Sequence, residues 1–243
     1  MEATIVTNEV TMWDRIMASA MKMPMVQVNR REFLRSNLRQ YCKPELLNQA
    51  IENPVKVLPR SVLNSLAENC INNHLIKVSA LSFASGLPGG FAILATIPAD
   101  VTQYFWHTLV LAQKLAYIYG FPDLCDENGN LNEFAQSILT MFIGVMMGVT
   151  VANGVIKRIS QELSKKVAKQ IAYKALTKTW YYPVVKEVAK KIGINVTKGS
   201  FSKSVSKIVP LLGGVVSGGL TYFTFSHESK RLHDKLAEMA YSA

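Results

Sequence analysis

The polar side chains that could carry chemistry lie on a predicted helix, residues 98–119, that is otherwise apolar. Asp100 and His107 are seven residues apart and therefore share one face of this helix, with Lys114 seven residues further on. A carboxylate and an imidazole on one face are suited to a proton relay or to metal ligation. His74, on the preceding predicted helix, is the residue expected to face them.

The same residues also have a structural interpretation, which we favour. Pro98 suits the first turn of a helix, where Asp100 would accept hydrogen bonds from free backbone N–H groups and meet the positive end of the helix dipole. His107 would then be a hydrogen-bonded core residue. Because one helix supplies only a stripe of polar groups, and because no GxSxG, P-loop or paired Cys/His pattern occurs, no catalytic residue, cofactor or metal is predicted.

The composition limits the class of protein. The chain has 243 residues, of which 49% are hydrophobic and 18% charged. It is long enough to bury a core, and it is poor in charge beside the roughly 25% of an ordinary domain. Cys42, Cys70 and Cys125 have no CxxC spacing, which predicts free thiols in a reducing compartment. The N-terminal residues contain no basic region followed by an apolar run, so we predict no signal peptide and a cytoplasmic location.

The positive charge is concentrated in residues 157–207, which hold 13 basic and 2 acidic side chains. Such a block indicates either a solvated face or an anionic partner. Apolar residues recur every four positions from Ile159 to Ile171, with lysines on the other sides, as in helices that bind anionic membranes. The predicted lipid-binding residues are Lys157, Arg158, Lys165, Lys166, Lys169, Lys174, Trp180, Tyr181 and Tyr182.

The spacing of apolar residues predicts an all-α fold, a compact bundle of long apolar helices and Gly-rich helical hairpins. The central helices are expected over residues 61–83, 98–119 and 131–156. Gly120 is expected to follow the second of them as its C′ residue. The third is expected to continue into the basic block and to be broken at Pro183.

Three segments without formal charge reach the length of about 20 residues that spans a bilayer as a helix: 78–99, 134–156 and 208–227. Each contains glycines four positions apart, a spacing that lets helix backbones approach closely. Gly148 and Gly218 are therefore predicted to be packing contacts. We favour buried hairpins that touch a membrane reversibly over a spanning topology, so the expected location is cytoplasmic and peripherally membrane-associated.

Two stretches of the chain resemble the EcsC family. The first is "GLPGGFAILATIPADVTQYFWHTLVLAQKLAYIYGF", with a Gly-Pro-Gly turn, an Ala-Asp pair and a helix that ends in Tyr-Gly. The second is "IVPLLGGVVSGGLTYFTF", a proline followed by a Gly-rich helix. The similarity covers roughly residues 60–240. The positions that match the family pattern are Gly86, Pro88, Gly89, Gly90, Asp100, Tyr119, Gly120, Pro210, Gly214 and Gly218.

The resemblance implies a bacterial, helical, membrane-associated protein of a family named after a member encoded beside an ABC-type transporter. The resemblance does not supply an enzymatic activity, and the protein is expected to be non-enzymatic. Residues 1–55 would form an N-terminal helical extension and residues 56–243 the EcsC-like helical domain. The expected partner is an anionic membrane surface or a membrane protein, and nucleic acid is disfavoured because the basic block holds one arginine and no binding motif. The alternative is a hydrolase or metal-dependent enzyme built on Asp100 and His107, with His74 in support.

Overall fold

Helices account for most of the described part of the chain. The computed structural model describes the backbone of residues 13–85, 99–125, 131, 133–164, 171–191 and 218–241, and their side chains except at residues 80–85, 99–102, 133–134, 161–164, 171–180 and 218–221. The first helices are α1 (13–21), α2 (Arg30–Leu38), α3 (Pro44–Glu52), α4 (Pro54–Val57) and α5 (Arg60–Ser85). The later helices are α6 (Ala99–Ile118), α7 (Glu133–Met146), α8 (Thr150–Ser164), α9 (Ile171–Lys191) and α10 (Gly218–Tyr241).

The predicted all-α class is confirmed for these residues. The described residues contain an isolated antiparallel β-bridge between Cys125 and Leu131, and no β-strand occurs among them. The predicted central helices over 61–83 and 98–119 correspond to α5 and α6. The apolar spacing that marks a helix is a local property of the sequence, so these two helices could be predicted from it.

Gly120 ends α6, as the sequence predicts. Its φ of 87° lies in the left-handed region, which glycine adopts without a steric penalty. The Gly120 N–H donates to Tyr117 O at 3.2 Å, and the Phe121 N–H donates to Ala116 O at 2.9 Å. These two bonds are the Schellman arrangement that satisfies the last carbonyls of a helix.

The prediction of one helix over residues 131–156 is wrong, because α7 and α8 are separate helices. Gly148 lies between them with a φ of 71° and ends α7 in the same way as Gly120 ends α6. The Gly148 N–H donates to Val145 O at 2.9 Å, and the Val149 N–H donates to Gly144 O at 2.8 Å. A Cβ at Gly148 would meet the Arg231 guanidinium at 3.0 Å. The glycine therefore sets the direction of the chain between two helices.

The predicted break at Pro183 is also wrong, since α9 runs through this residue from Ile171 to Lys191. A proline inside a helix costs about 3 kcal/mol, because it removes a backbone hydrogen bond and its ring crowds the preceding turn. Pro183 lies on the exposed side of α9, whereas Val184 and Val185 are fully buried. Burial of these apolar side chains offsets the local cost of the proline.

The structure describes the three uncharged segments to different extents. Segment 134–156 is divided between α7 and α8, and segments 78–99 and 208–227 lie partly outside the described residues. Among the described residues, no helix combines the length and the apolar character that crossing a bilayer requires.

The core is built around α5, α6, α7 and α10. Helix α5 packs against α6 and α10, while α7 packs against α8, α9 and α10. Trp13 of α1 is fully buried in this core, with its ring 5.5 Å from that of Phe105 and its Nε1–H 3.4 Å from Thr140 Oγ1. The residues before position 56 therefore share a core with those after it. The division into 1–55 and 56–243 stays a prediction.

Two polar side chains hold the N-terminal residues against α6. Gln113 donates from Nε2 to Val26 O at 2.8 Å and accepts from the Val28 N–H at 3.1 Å. Arg30 donates to the carbonyl oxygens of Phe121 at 2.9 Å and of Ile51 at 2.8 Å. Burial lowers the pKa of Arg30, with the charge of a nearby carboxylate opposing it. Together these bonds position α6, which carries the polar residues predicted from the sequence.

Close packing of α7, α8 and α9 depends on Gly144. A Cβ there would lie 2.8 Å from Ala152 Cβ and 2.9 Å from Val184 Cγ1. We expect Gly144→Ala to lower the free energy of unfolding by about 1–3 kcal/mol, the usual cost of overpacking. Gly154→Ala is the matched control, because nothing lies within 4 Å of its Cβ position. Since alanine is the better helix former, the control should gain about 0.5–1 kcal/mol. Urea denaturation that shows equal shifts for both variants would contradict this packing.

Candidate functional site

A chain of three polar side chains connects α5 to α6. His74 Nδ1 lies 3.2 Å from His107 Nδ1, and His74 Nε2 lies 3.0 Å from Lys114 Nζ. Both histidines are buried and Lys114 is half-buried. The two imidazole rings are nearly perpendicular, with centroids 5.4 Å apart. Polar side chains from two helices therefore meet at one place, which the polar residues of α6 alone could not achieve.

The direction of these hydrogen bonds follows from the chemistry of the three groups. A lysine ammonium has donors only, so Lys114 donates to His74 Nε2. A neutral imidazole carries one N–H, which leaves the His74 proton on Nδ1, where it donates to His107 Nδ1. The proton of His107 is then on Nε2. The series of hydrogen bonds thus runs from the Lys114 ammonium through the neutral rings of His74 and His107 and ends at the His107 Nε2–H group.

Burial keeps both imidazoles neutral. Burial first, and then the charge of Lys114, lower the pKa of His74 to about 3. Burial first, and then the charge of Lys77, lower the pKa of His107 to about 4. Burial also raises the pKa of the Cys70 thiol to about 11, with Lys114 opposing the shift. At neutral pH this region therefore contains neutral rings and a neutral thiol beside two lysines.

The structure brings together part of the polar cluster that the sequence predicts. His74 and His107 are in contact, as the alternative enzymatic hypothesis required, and Lys114 joins them through His74. The side chain of Asp100 lies outside the described side chains, so neither its predicted capping role nor a catalytic role is tested. Among the described residues, no group of three or more His, Cys, Asp or Glu side chains could hold a metal ion.

A second buried polar contact joins α6 to α10 and was missed in the sequence. Tyr104 donates from its hydroxyl to Glu228 Oε2 at 2.5 Å, and its ring packs edge-on against Phe225. Burial raises the pKa of Glu228 to about 7, whereas the hydrogen bond from Tyr104 lowers it. The two partners are 124 positions apart, and Glu228 lies on a helix whose mixed charge is typical of a surface.

The predicted lipid-binding residues are described in part. Lys157 and Arg158 are exposed on α8, and Tyr182 is exposed on α9. Tyr181 is half-buried and donates to Asp14 Oδ1 at 3.1 Å, so it packs toward the core. The other predicted residues lie outside the described side chains: Lys165, Lys166, Lys169, Lys174 and Trp180.

The second half of α9 carries exposed lysines that are not among the predicted lipid-binding residues. Lys186 and Lys190 follow Tyr182 at intervals of four, and all three are exposed. Residues four apart lie on the same side of a helix, so they form one stripe. The opposite side of α9 is buried, including Val184 and Val188. The signal was present in the sequence as regular spacing, but the predicted break at Pro183 concealed it.

Comparison with known proteins gives no match: no protein-family model, no curated protein and no solved structure is similar to the chain. Of the positions that resemble the EcsC pattern, Tyr119 is buried and donates to Asn64 Oδ1 at 2.9 Å, Gly120 ends α6, and Gly218 lies at the start of α10. The remaining positions lie outside the described residues or side chains: Gly86, Pro88, Gly89, Gly90, Asp100, Pro210 and Gly214.

Proposed function

We propose that this protein is a non-enzymatic, membrane-associated helical protein of the EcsC type that binds an anionic lipid surface through α8 and α9. The observation that carries the proposal is the exposed stripe of α9, in which Tyr182, Lys186 and Lys190 recur every four residues. The apolar side of α9 packs in the protein core, so lipid would meet only this stripe, where lysine ammonium groups attract anionic headgroups and the tyrosine ring suits the interface.

The chemistry of the exposed side chains favours a lipid surface over other anionic partners. Each lysine near an anionic leaflet contributes on the order of 1 kcal/mol, and a tyrosine suits the level of the lipid headgroups. Lys157 and Arg158 on α8 add to the basic charge. Lysine ammonium groups act as point charges, which suit a diffuse anionic surface. Recognition of nucleic-acid bases relies more on arginine, whose guanidinium forms two parallel hydrogen bonds. The proposed location is the cytoplasmic side of a membrane, with a membrane protein as the alternative partner.

Charge reversal on α9 tests the proposal. We expect the Lys186→Glu/Lys190→Glu variant to bind vesicles that contain anionic lipid at least about tenfold more weakly, since two contributions of about 1 kcal/mol are lost. Co-sedimentation with vesicles measures the bound fraction. The matched control is Lys43→Glu/Lys56→Glu, which makes the same charge change at exposed sites before α5 and should bind as the native protein does.

Three results would contradict this function. They are equal binding to neutral and anionic vesicles, binding that salt leaves unchanged, and an equal loss of binding in the control variant. The first two would remove the electrostatic attraction, which salt screens over a distance of about 10 Å. The third would assign binding to the net charge of the chain and not to α9.

A further inference from the structure

The arginines of α2 and its C-cap have two different environments. Arg30 donates three hydrogen bonds to backbone carbonyl oxygens, which hold α2 in place. Arg31, Arg35 and Arg39 are exposed, and in the described part of the chain their guanidinium groups form no hydrogen bond, ion pair or ring contact. The fold therefore uses the first arginine and leaves the donors of the other three available to a partner.

These three exposed arginines, the arginine stripe, lie on one side of α2. They recur every four residues, and Arg39 keeps helical dihedral angles as the C-cap residue. Because a helix rises 1.5 Å per residue, they follow one another at intervals of about 6 Å along the axis. Leu34 and Leu38 are the buried residues of α2. Residues 29–43 hold five basic side chains and one acidic side chain, so the local charge is strongly positive.

Exposed apolar side chains accompany the arginine stripe. Tyr41, two positions after Arg39, is 38% exposed. Leu46 is 42% exposed on α3, the helix that packs against α2. Arginine and tyrosine are enriched where proteins bind one another, whereas lysine is depleted there. The exposed stripe of α9 carries lysines, so the composition of α2 favours a protein partner over a lipid surface.

We propose that the arginine stripe binds an amphipathic helix of another protein, in which aspartate or glutamate side chains recur every four residues. Two helices have the same rise, so acidic side chains at this spacing meet successive arginines when the partner lies along α2. A carboxylate accepts two parallel hydrogen bonds from one guanidinium, which fixes the register of the two helices. Apolar side chains of the partner would cover Tyr41 and Leu46. This surface does not depend on lipid binding by α9.

A synthetic peptide tests the arginine stripe in the full-length protein. The probe is an alanine-based helical peptide with glutamate at every fourth position and leucine beside it, and a scrambled peptide of the same composition is its control. In NMR spectra, the side-chain Nε resonances of Arg31, Arg35 and Arg39 should shift to saturation with the probe. The Nε resonance of Arg30 should stay unchanged, because this group already donates to a backbone carbonyl.

Matched variants measure the contribution of the arginine stripe. We expect Arg31→Gln/Arg35→Gln to weaken binding of the probe about tenfold, which corresponds to about 1.4 kcal/mol. Lys22→Gln/Lys56→Gln removes the same charge at exposed positions and should bind as the native protein does. Charge reversal in Arg31→Glu/Arg35→Glu should abolish binding of the probe and create binding of a peptide that has lysine in place of each glutamate.

The proposal is overturned when the probe and the scrambled peptide bind equally, when the lysine control loses as much affinity, or when charge reversal creates no binding of the lysine peptide. Arginine shifts with single-stranded RNA but not with the probe would assign the stripe to nucleic acid instead. Loss of vesicle binding in Arg31→Gln/Arg35→Gln would assign it to lipid. The Lys186→Glu/Lys190→Glu variant should bind the probe as the native protein does, so failure of vesicle binding and failure of this surface are distinguishable.

Discussion

Replacement of Trp13 by alanine is expected to lower the free energy of unfolding by about 3–5 kcal/mol, the usual cost of removing a buried aromatic side chain. Trp13 is fully buried, packs edge-on against Phe105 of α6 and donates toward Thr140 of α7. Alanine would leave a cavity where three helices meet, and the neighbouring side chains can fill it only in part. Urea denaturation at neutral pH measures the change.

Two further variants show whether the loss reflects burial. Trp13→Phe keeps most of the ring volume, so it should cost less than the alanine variant. Phe223→Ala removes an aromatic side chain that is 72% exposed on α10, and it should change stability by less than about 0.5 kcal/mol. If Trp13→Ala behaves like Phe223→Ala, α1 does not share the core of α6 and α7.

The helices that the sequence predicted correctly are those whose limits are set locally. Helix α5 has a regular apolar spacing, and α6 is followed by Gly120 after a run of helix formers. Gly148 was missed as a helix end because apolar residues continue on both sides of it. Pro183 was overestimated as a helix breaker because burial of Val184 and Val185, which no local pattern reveals, outweighs its cost.

The polar cluster was predictable only in outline. An imidazole on an apolar helix identified His107, and its position on the preceding helix identified His74. The sequence of hydrogen bonds from Lys114 through His74 to His107 depends on the register between α5 and α6. That register is a property of tertiary packing. The contact of Tyr104 with Glu228 depends on packing in the same way, since it joins two helices far apart in the chain.

Acidification is expected to destabilise the protein through the two buried histidines. The folded-state pKa values of about 3 for His74 and about 4 for His107 lie below the unfolded value of about 6.5. Between these values the unfolded chain binds more protons, so the contribution to stability is complete above about pH 6.5 and is lost as the pH falls toward about 4 for His107 and about 3 for His74. Since one pKa unit corresponds to about 1.4 kcal/mol, we expect a loss of about 2–3 kcal/mol for each histidine by about pH 4.5.

Titration of Glu228 changes the stability in the opposite direction to titration of the histidines, so the two contributions have to be measured separately. Burial raises its folded-state pKa to about 7, above the 4.5 that is usual for a glutamic acid side chain. Its contribution to stability is therefore complete below about pH 4.5 and is lost as the pH rises through about 7. Glu228→Gln keeps an oxygen that can accept from Tyr104 and does not titrate. In this variant the loss of stability on acidification should be steeper than in the native protein.

Comparison of the His74→Gln/His107→Gln variant with the native protein isolates the histidine contribution. Chemical denaturation at several pH values from about 4.5 to 7.5 should give a clearly smaller loss of stability on acidification in the double variant, because glutamine does not titrate in this range. His227→Gln, at an exposed position, is the control and should follow the native pH dependence. If the double variant loses as much stability as the native protein does, His74 and His107 bind protons in the folded state as readily as in the unfolded chain. Burial beside Lys77 and Lys114 would then not hold their pKa values down.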